Sequence, residues 1–305
     1  MMKYVLSAAA LKCFSAAPPM RRLYRELGNL VGNRRRGTGR MPAHYVERVR
    51  KMLRAQSEYK LLRDGDQIME LGTGWLHWEA LTTRLFFDVH SVVFDVWDNR
   101  QLNGLKNYAV QLGPMLKQGG DLGLSAAEAT RAQRLIEKIA KVSSFEELYE
   151  LLGFEYAIES SGSLARFPSE RFQLVVSGGV LEHVDREALP LLANEMFRVL
   201  KPGGWAMHSI DIQDHLSYYD RTVSKKEYLM FSEPMWKYFF QNRVQYINRV
   251  QRNEWLELFR AAGFELVDED GWRVNIPAKV AKRYAKMDRR DLECGGLKVL
   301  FKKPV

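Results

Sequence analysis

From Asp66 onward, short runs of apolar, β-favouring residues alternate with stretches whose apolar positions recur at helical spacing. That alternation is the pattern of a mostly parallel sheet covered by helices. It predicts strands at 67–71, 91–95, 154–158, 173–177 and 205–210, with two more near 264–268 and 297–302. The expected fold class is α/β, a doubly wound, mostly parallel seven-stranded sheet with helical insertions.

Ahead of the sheet, residues 43–62 read as an amphipathic helix with a basic, solvent-facing side. The connection at 103–153 is long and helical. Ser125 precedes Glu128, and Ser144 precedes Glu147, at capping-box spacing, while Gly153 stands where the second helix must stop. This insertion suits either a lid or extra packing. Asp185 is placed to cap a helix running to about Leu200, which Lys201-Pro202-Gly203-Gly204 ends before Trp205 opens a strand. Residues 213–253 form an aromatic-rich segment, expected to be a substrate-side cap, and 43–305 is then one domain.

Composition is ordinary for a globular chain of 305 residues, but the formal net charge is +9. Part of it lies in a basic arm, 1–42, at Arg21, Arg22, Arg34, Arg35, Arg36 and Arg40. Such an arm is either solvated or peripheral on an anionic membrane. The first twenty residues imitate a secretory signal, yet Lys12 interrupts a short apolar stretch, and no run approaches a membrane span. Cys13 and Cys294 are far apart and without metal-ligand spacing, so no disulfide framework and no metal are expected. A reducing, cytoplasmic setting follows.

In an open parallel sheet, ligands sit beyond the carboxyl ends of the strands, where the strand order reverses. Glu70, Gly72, Thr73 and Gly74 end the first strand and turn after it. Glycines there let the backbone approach a ligand. A dinucleotide site would need a third glycine where this chain has His77, and Glu70 would repel a pyrophosphate. A cofactor carrying a sulfonium and an ammonium suits that acid better, which favours S-adenosylmethionine over a nicotinamide. Asp95, closing the second strand, has the chemistry to accept hydrogen bonds from a ribose diol; its alternative is a turn or cap residue. Asp98, deeper in the loop, is the poorer candidate.

Two further runs are Phe172-Gln173-Leu174-Val175-Val176-Ser177-Gly178-Gly179-Val180-Leu181-Glu182-His183-Val184 and Phe197-Arg198-Val199-Leu200-Lys201-Pro202-Gly203-Gly204. With Glu70 to Gly74 and Asp95, they resemble the class I, Rossmann-like S-adenosylmethionine-dependent methyltransferases over about 66–210. The resemblance implies that Ser177, Gly178 and Gly179 lie beside the cofactor. The chain departs from the family pattern at Gln173, where Asp is common. It also lacks an obvious acid after the third strand, leaving Glu159 or Ser160 to meet the adenine.

After the fifth strand comes His208-Ser209-Ile210-Asp211-Ile212-Gln213-Asp214-His215. A hydroxyl acceptor must lose a proton, whereas a neutral amine already offers its lone pair. His215 is the candidate base, with Asp211 or Asp214 orienting it or binding a metal; the alternative is that these residues only tie the loop. His183 fits packing and a helix start better. Asp214-His215, Tyr219-Asp220, Gln241-Asn242-Arg243 and Trp255 to Phe264 more loosely resemble a bacterial subgroup associated with glycan and polysaccharide biosynthesis. That implies a sugar, glycan or other small-molecule hydroxyl as acceptor, with aromatics stacking on sugar faces or simply forming the core of the cap. RNA is the rival acceptor, prompted by charge, but the fourth strand ends in Ser177-Gly178-Gly179-Val180 and no RNA-binding module is appended. Nucleic acid is therefore not the expected partner. A non-catalytic cofactor-binding scaffold and a nicotinamide oxidoreductase complete the alternatives.

Overall fold

The computed structural model describes residues 1–117 and 122–305; positions 118–121 of the expected insertion lie outside the described residues. Seven strands form one sheet in the order β3-β2-β1-β4-β5-β7-β6. They are β1 (Gln67–Leu71), β2 (His90–Asp95), β3 (Phe154–Ile158), β4 (Phe172–Gly178), β5 (Leu200–Asp211), β6 (Glu265–Arg273) and β7 (Cys294–Lys302). Strand β1 pairs parallel with both β2 and β4, and β2 with β3, while β6 and β7 run antiparallel. The order reverses between β1 and β4, which makes the ends of β1 and β4 the switch point of the sheet.

The chain divides into two compact units, one of 29–177, 198–206 and 305, the other of 1–28, 178–197 and 207–304. In the first unit, α3 (Ala43–Tyr59), α4 (Trp78–Phe86), α5 (Leu102–Lys117), α6 (Ala126–Ile139) and α7 (Phe145–Leu152) accompany β1 to β3. Their apolar faces meet in one buried cluster that includes Val49, Leu81, Val93, Leu112, Ile136 and Leu148. Helix α3 stops short of the expected Leu62 because Lys60 takes a left-handed cap at φ 55°, after which Leu61 and Leu62 turn inward. The insertion follows its caps. Ser125 and Glu128 form a reciprocal capping box, Ser144 accepts from the Glu147 amide, and Gly153 ends α7 at φ 69°.

The arm is helical: α1 (Met2–Ser15), in the second unit, buries Tyr4, Ala8 and Leu11, while α2 (Pro18–Thr38) buries nothing and has residues 18–28 in the second unit and 29–38 in the first. The expected aromatic cap splits. Tyr228, Phe231, Trp236 and Phe240 form its core with Tyr4, whereas Tyr218, Tyr219, Tyr238 and Phe239 are exposed. The last two strands outrun their expected limits because Gly295 and Gly296 leave room for the Trp272 ring, so that the ladder continues to Arg273 opposite Cys294.

One local expectation is corrected. Asp185 caps no long helix: it precedes a single 3₁₀ turn, Arg186–Ala188, without a side-chain cap bond, and α8 (Leu189–Val199) follows. Residues 201–204 do turn the chain after α8, although they fall within the bounds of β5: Gly203 takes φ 73°, and Gly204 comes back so close to the Lys201 carbonyl, and to that of Gln173, that a Cβ would collide.

Candidate functional site

At the end of β1 the backbone turns away at Gly72 (φ 69°) and Gly74 (φ 57°), conformations that side chains resist. The turn is latched to β2. The Gly72 and Thr73 amides both donate to the Phe94 carbonyl, at 2.8 and 3.0 Å. The Gly74 amide donates to Asp95 Oδ2 at 2.7 Å, and Asp95 Oδ1 accepts from the amides of Val96 and Trp97. Burial raises the Asp95 pKa beyond what these three amides pull down. Glu159, the candidate adenine contact, donates its amide to the Asp95 carbonyl, while its carboxylate is taken up by Ser161. Asp98 is paired with Arg100, whose guanidinium lies 4.1 Å from the Tyr156 ring centre.

Glu70 lies beneath the turn, 2% exposed, and accepts from the amide of Ala80, the third residue of α4. Burial, and then the neighbouring charge of Glu79, hold its pKa well above the ordinary range. One of the amides that would receive a pyrophosphate is thus already engaged from inside the protein.

His77 holds the place of a third glycine in the glycine's own conformation, φ 48°. Its ring explains the tolerance: Nδ1 meets Thr73 Oγ1 at 2.5 Å, and Nε2 meets Tyr149 Oη, on α7, at 2.9 Å. The imidazole is fully buried, and burial followed by the charge of Arg100 lowers its pKa to about 3, so it is neutral. One face of the insertion is therefore packing that braces the glycine turn. Sequence reasoning counted His77 only as a missing glycine, and Tyr149 not at all, because seventy-two residues separate them.

A Cβ at Gly74 would meet only the Gly72 carbonyl, at 3.9 Å, so the glycine keeps an open approach over the turn. Asp95 spends three of about four lone-pair sites on the loop and retains one for a ribose hydroxyl. The donor set fits an adenosine-type cofactor without a pyrophosphate. Ser177, at the end of β4, is buried, and Gly178 follows it; Gly179, at φ 72°, donates its amide to Ser209.

A second polar cluster follows β5. Asp211 Oδ2 accepts from Tyr218 Oη at 2.6 Å and stands 3.5 Å from His215 Nε2. Burial raises the Asp211 pKa, but hydrogen bonds from His215 and Tyr218 outweigh it and hold the carboxyl below its ordinary range. His215 stacks on Tyr218 and adjoins His183, with ring centres 5.3 and 5.0 Å apart. Residues 215–218 form one 3₁₀ turn, in which positions i and i+3 eclipse. That spacing was the signal for Tyr218 and was overlooked. Asp214 faces the interior, accepting from Tyr4 Oη and from the amides of Leu216 and Tyr228. His208 is stacked on Phe259 in the core, where burial lowers its pKa to about 3. Glu182, His183 and His215 each bring one donor atom within 4.8 Å of the others, a set that would suit a divalent cation although sequence spacing suggested none.

Taken with the reversed strand order, a glycine turn latched to an acid at the end of the neighbouring strand defines a ligand-binding, doubly wound α/β protein. Residues 41–269 match the model of a family described as a methyltransferase domain, and the chain belongs to that family. It is an S-adenosylmethionine-dependent methyltransferase, and S-adenosylmethionine is its cofactor. Among solved structures it is similar to an S-adenosylmethionine-dependent methyltransferase from Methanosarcina mazei, at 16% identity over 82% of this chain and 97% of that one, with TM-score 0.45. It is also similar to phosphoethanolamine N-methyltransferase 2 from Haemonchus contortus, at 14% identity and TM-score 0.44. That match covers 84% of this chain but spans only about half, 52%, of the other. No curated protein matches the chain.

Replacing Asp95 by Ala is expected to weaken S-adenosylmethionine binding by about 1.5–3 kcal/mol, the scale of hydrogen bonds to a charged group. Calorimetric titration measures it, and an unchanged affinity removes Asp95 from the site.

Proposed function

We propose that this methyltransferase transfers its methyl group to a hydroxyl of a small molecule of the sugar or glycan class. The observation that supports this reading is the Asp211–His215–Tyr218 constellation. An amine acceptor has no use for a base, whereas an aliphatic hydroxyl needs its proton removed as the oxygen attacks. The bound cofactor supplies an electrophilic methyl on a positively charged sulfur.

His215 takes the hydroxyl proton, and Asp211 stabilises the imidazolium that results. Tyr218, hydrogen-bonded to the same carboxylate and stacked on the imidazole, limits the ring's freedom to swing. Asp95 and the Gly72 and Gly74 turn hold the adenosine portion. Exposed Tyr218 and Tyr219 offer faces on which a sugar ring can lie. The reading is tested by supplying methyl-labelled cofactor with sugar nucleotides, lipid-linked glycans, simple amines and bulk RNA. Label in an alkali-stable ether of the glycan fraction is expected; label only in amines or RNA overturns the proposal.

A further inference from the structure

The outer face of α2 is built unlike a solvated helix. Around the helix, Met20, Leu23, Leu27, Leu30 and Val31 fall within an arc of roughly 100°. All five are exposed, Leu30 by 70% and Val31 by 67%. The opposite side is the one held by protein. Arg21 donates to the Ser15 carbonyl, and Tyr24, at the edge between the arc and that side, packs on Phe14. Asn29 bonds Trp75 and Asn99, and Arg36 bonds Gln101 while lying 3.9 Å from the Trp75 ring centre. The apolar arc therefore points outward by construction.

Its chemistry selects the occupant. Helix α2 carries six arginines and one acid, Glu26, which is paired with Arg22. Arg34 lies within the apolar arc and Arg35 borders it, both exposed. Leu30 and Arg34 also line an open groove with Asn103, Lys106, Asn107 and Val110, where apolar walls stand beside cationic and amide donors. A second copy of the chain would set like charges against each other, and a nucleic acid would leave the leucines without a partner. A surface that offers both apolar depth and negative charge is the interface of an anionic bilayer. Among the described residues no helix is long and apolar enough to cross a membrane, so the contact is one of lying on it.

We propose that α2 seats the enzyme on anionic lipid through Leu23, Leu27, Leu30 and Val31, with Arg34 and Arg35 at the headgroups. The inference is independent of the acceptor assigned above. It is tested by cosedimentation of the full chain with phosphatidylcholine vesicles, with and without phosphatidylglycerol. Binding is expected on the anionic vesicles, weakening with added salt, and about tenfold or more weaker on neutral ones. Leu27→Glu with Leu30→Glu, and separately Arg34→Glu with Arg35→Glu, should each reduce binding about tenfold or more while S-adenosylmethionine affinity is retained. If the double leucine variant fails to fold, Leu30→Gln alone should give a smaller loss in the same direction. Absence of binding to anionic vesicles, or undiminished binding by these variants, overturns the proposal. So does a wild-type dimer that the leucine variants disperse, or retention of RNA in a gel shift by a chain that vesicles do not bind.

Discussion

Replacing His215 by Gln is expected to lower kcat for methyl transfer to the hydroxyl acceptor by about 10²–10⁴-fold, the usual contribution of a positioned general base. Glutamine keeps the size and a polar tip but cannot take a proton. Affinity for S-adenosylmethionine should stay within about twofold, since the substitution removes a step in the reaction and not a cofactor contact. Asp211→Asn should lie between the variant and wild type, because it leaves the imidazole in place while removing the charge that stabilises its protonated form. Tyr218→Phe should cost less still. The same ring belongs to the Glu182–His183–His215 donor set, so a chelator separates two roles. With His215 as base, turnover persists after metal removal. Turnover that is lost with EDTA and restored by a divalent ion makes His215 a ligand, and wild-type turnover by His215→Gln removes it from the reaction.

Strand positions were legible because a buried parallel strand leaves a short apolar run between turn residues, and that run is local. Residues 67–71 and 154–158 were read at their observed limits. Helix caps were legible for the same reason: Ser125 with Glu128 and Ser144 with Glu147 act over three residues. What failed is what depends on distant neighbours. Asp185 has the side chain of a helix cap, yet it makes no cap bond, and the Arg186 amide is met instead by Tyr246 Oη, sixty residues on.

At the candidate site, the acid and glycines after β1 could be placed, but not the inward reach of Glu70 to the Ala80 amide. That bond depends on how α4 sits over the strand. His77 shows the limit most clearly. A histidine where a glycine would serve reads as a deviation, and only the fold reveals that Thr73 and Tyr149 hold it in the left-handed conformation. Asp211 and Asp214 both stand close enough to His215 in sequence to orient it, and sequence does not choose between them. A 3₁₀ turn sends Asp214 inward and leaves His215 beside Asp211.

That inward acid carries the other large effect. Asp214→Ala is expected to destabilise the protein by about 3–5 kcal/mol, because it leaves a buried phenol and two buried amides without their acceptor. Tyr4 and Asp214 are both fully buried, and Tyr4 Oη donates to the carboxylate at 2.6 Å. Asp214→Asn preserves shape and part of the bonding, so it should cost less and instead change the pH profile. Burial raises the Asp214 pKa to about 6, against the pull of its hydrogen bonds. An unfolded aspartate titrates near about 3.9, so between those values the folded protein binds the proton more tightly. The stabilisation from this proton is present below about pH 4 and is lost as pH rises through about 6, a change of about 3 kcal/mol. Denaturant unfolding from pH 4 to 7 should show wild type losing this increment relative to Asp214→Asn; parallel profiles would contradict the assignment. Because Asp214 also caps the turn that presents His215, accepting from the Leu216 amide, α1 reaches the candidate base through a single buried carboxylate. Tyr4→Phe should therefore lower stability and, if the turn shifts, lower kcat as well, while leaving cofactor affinity untouched.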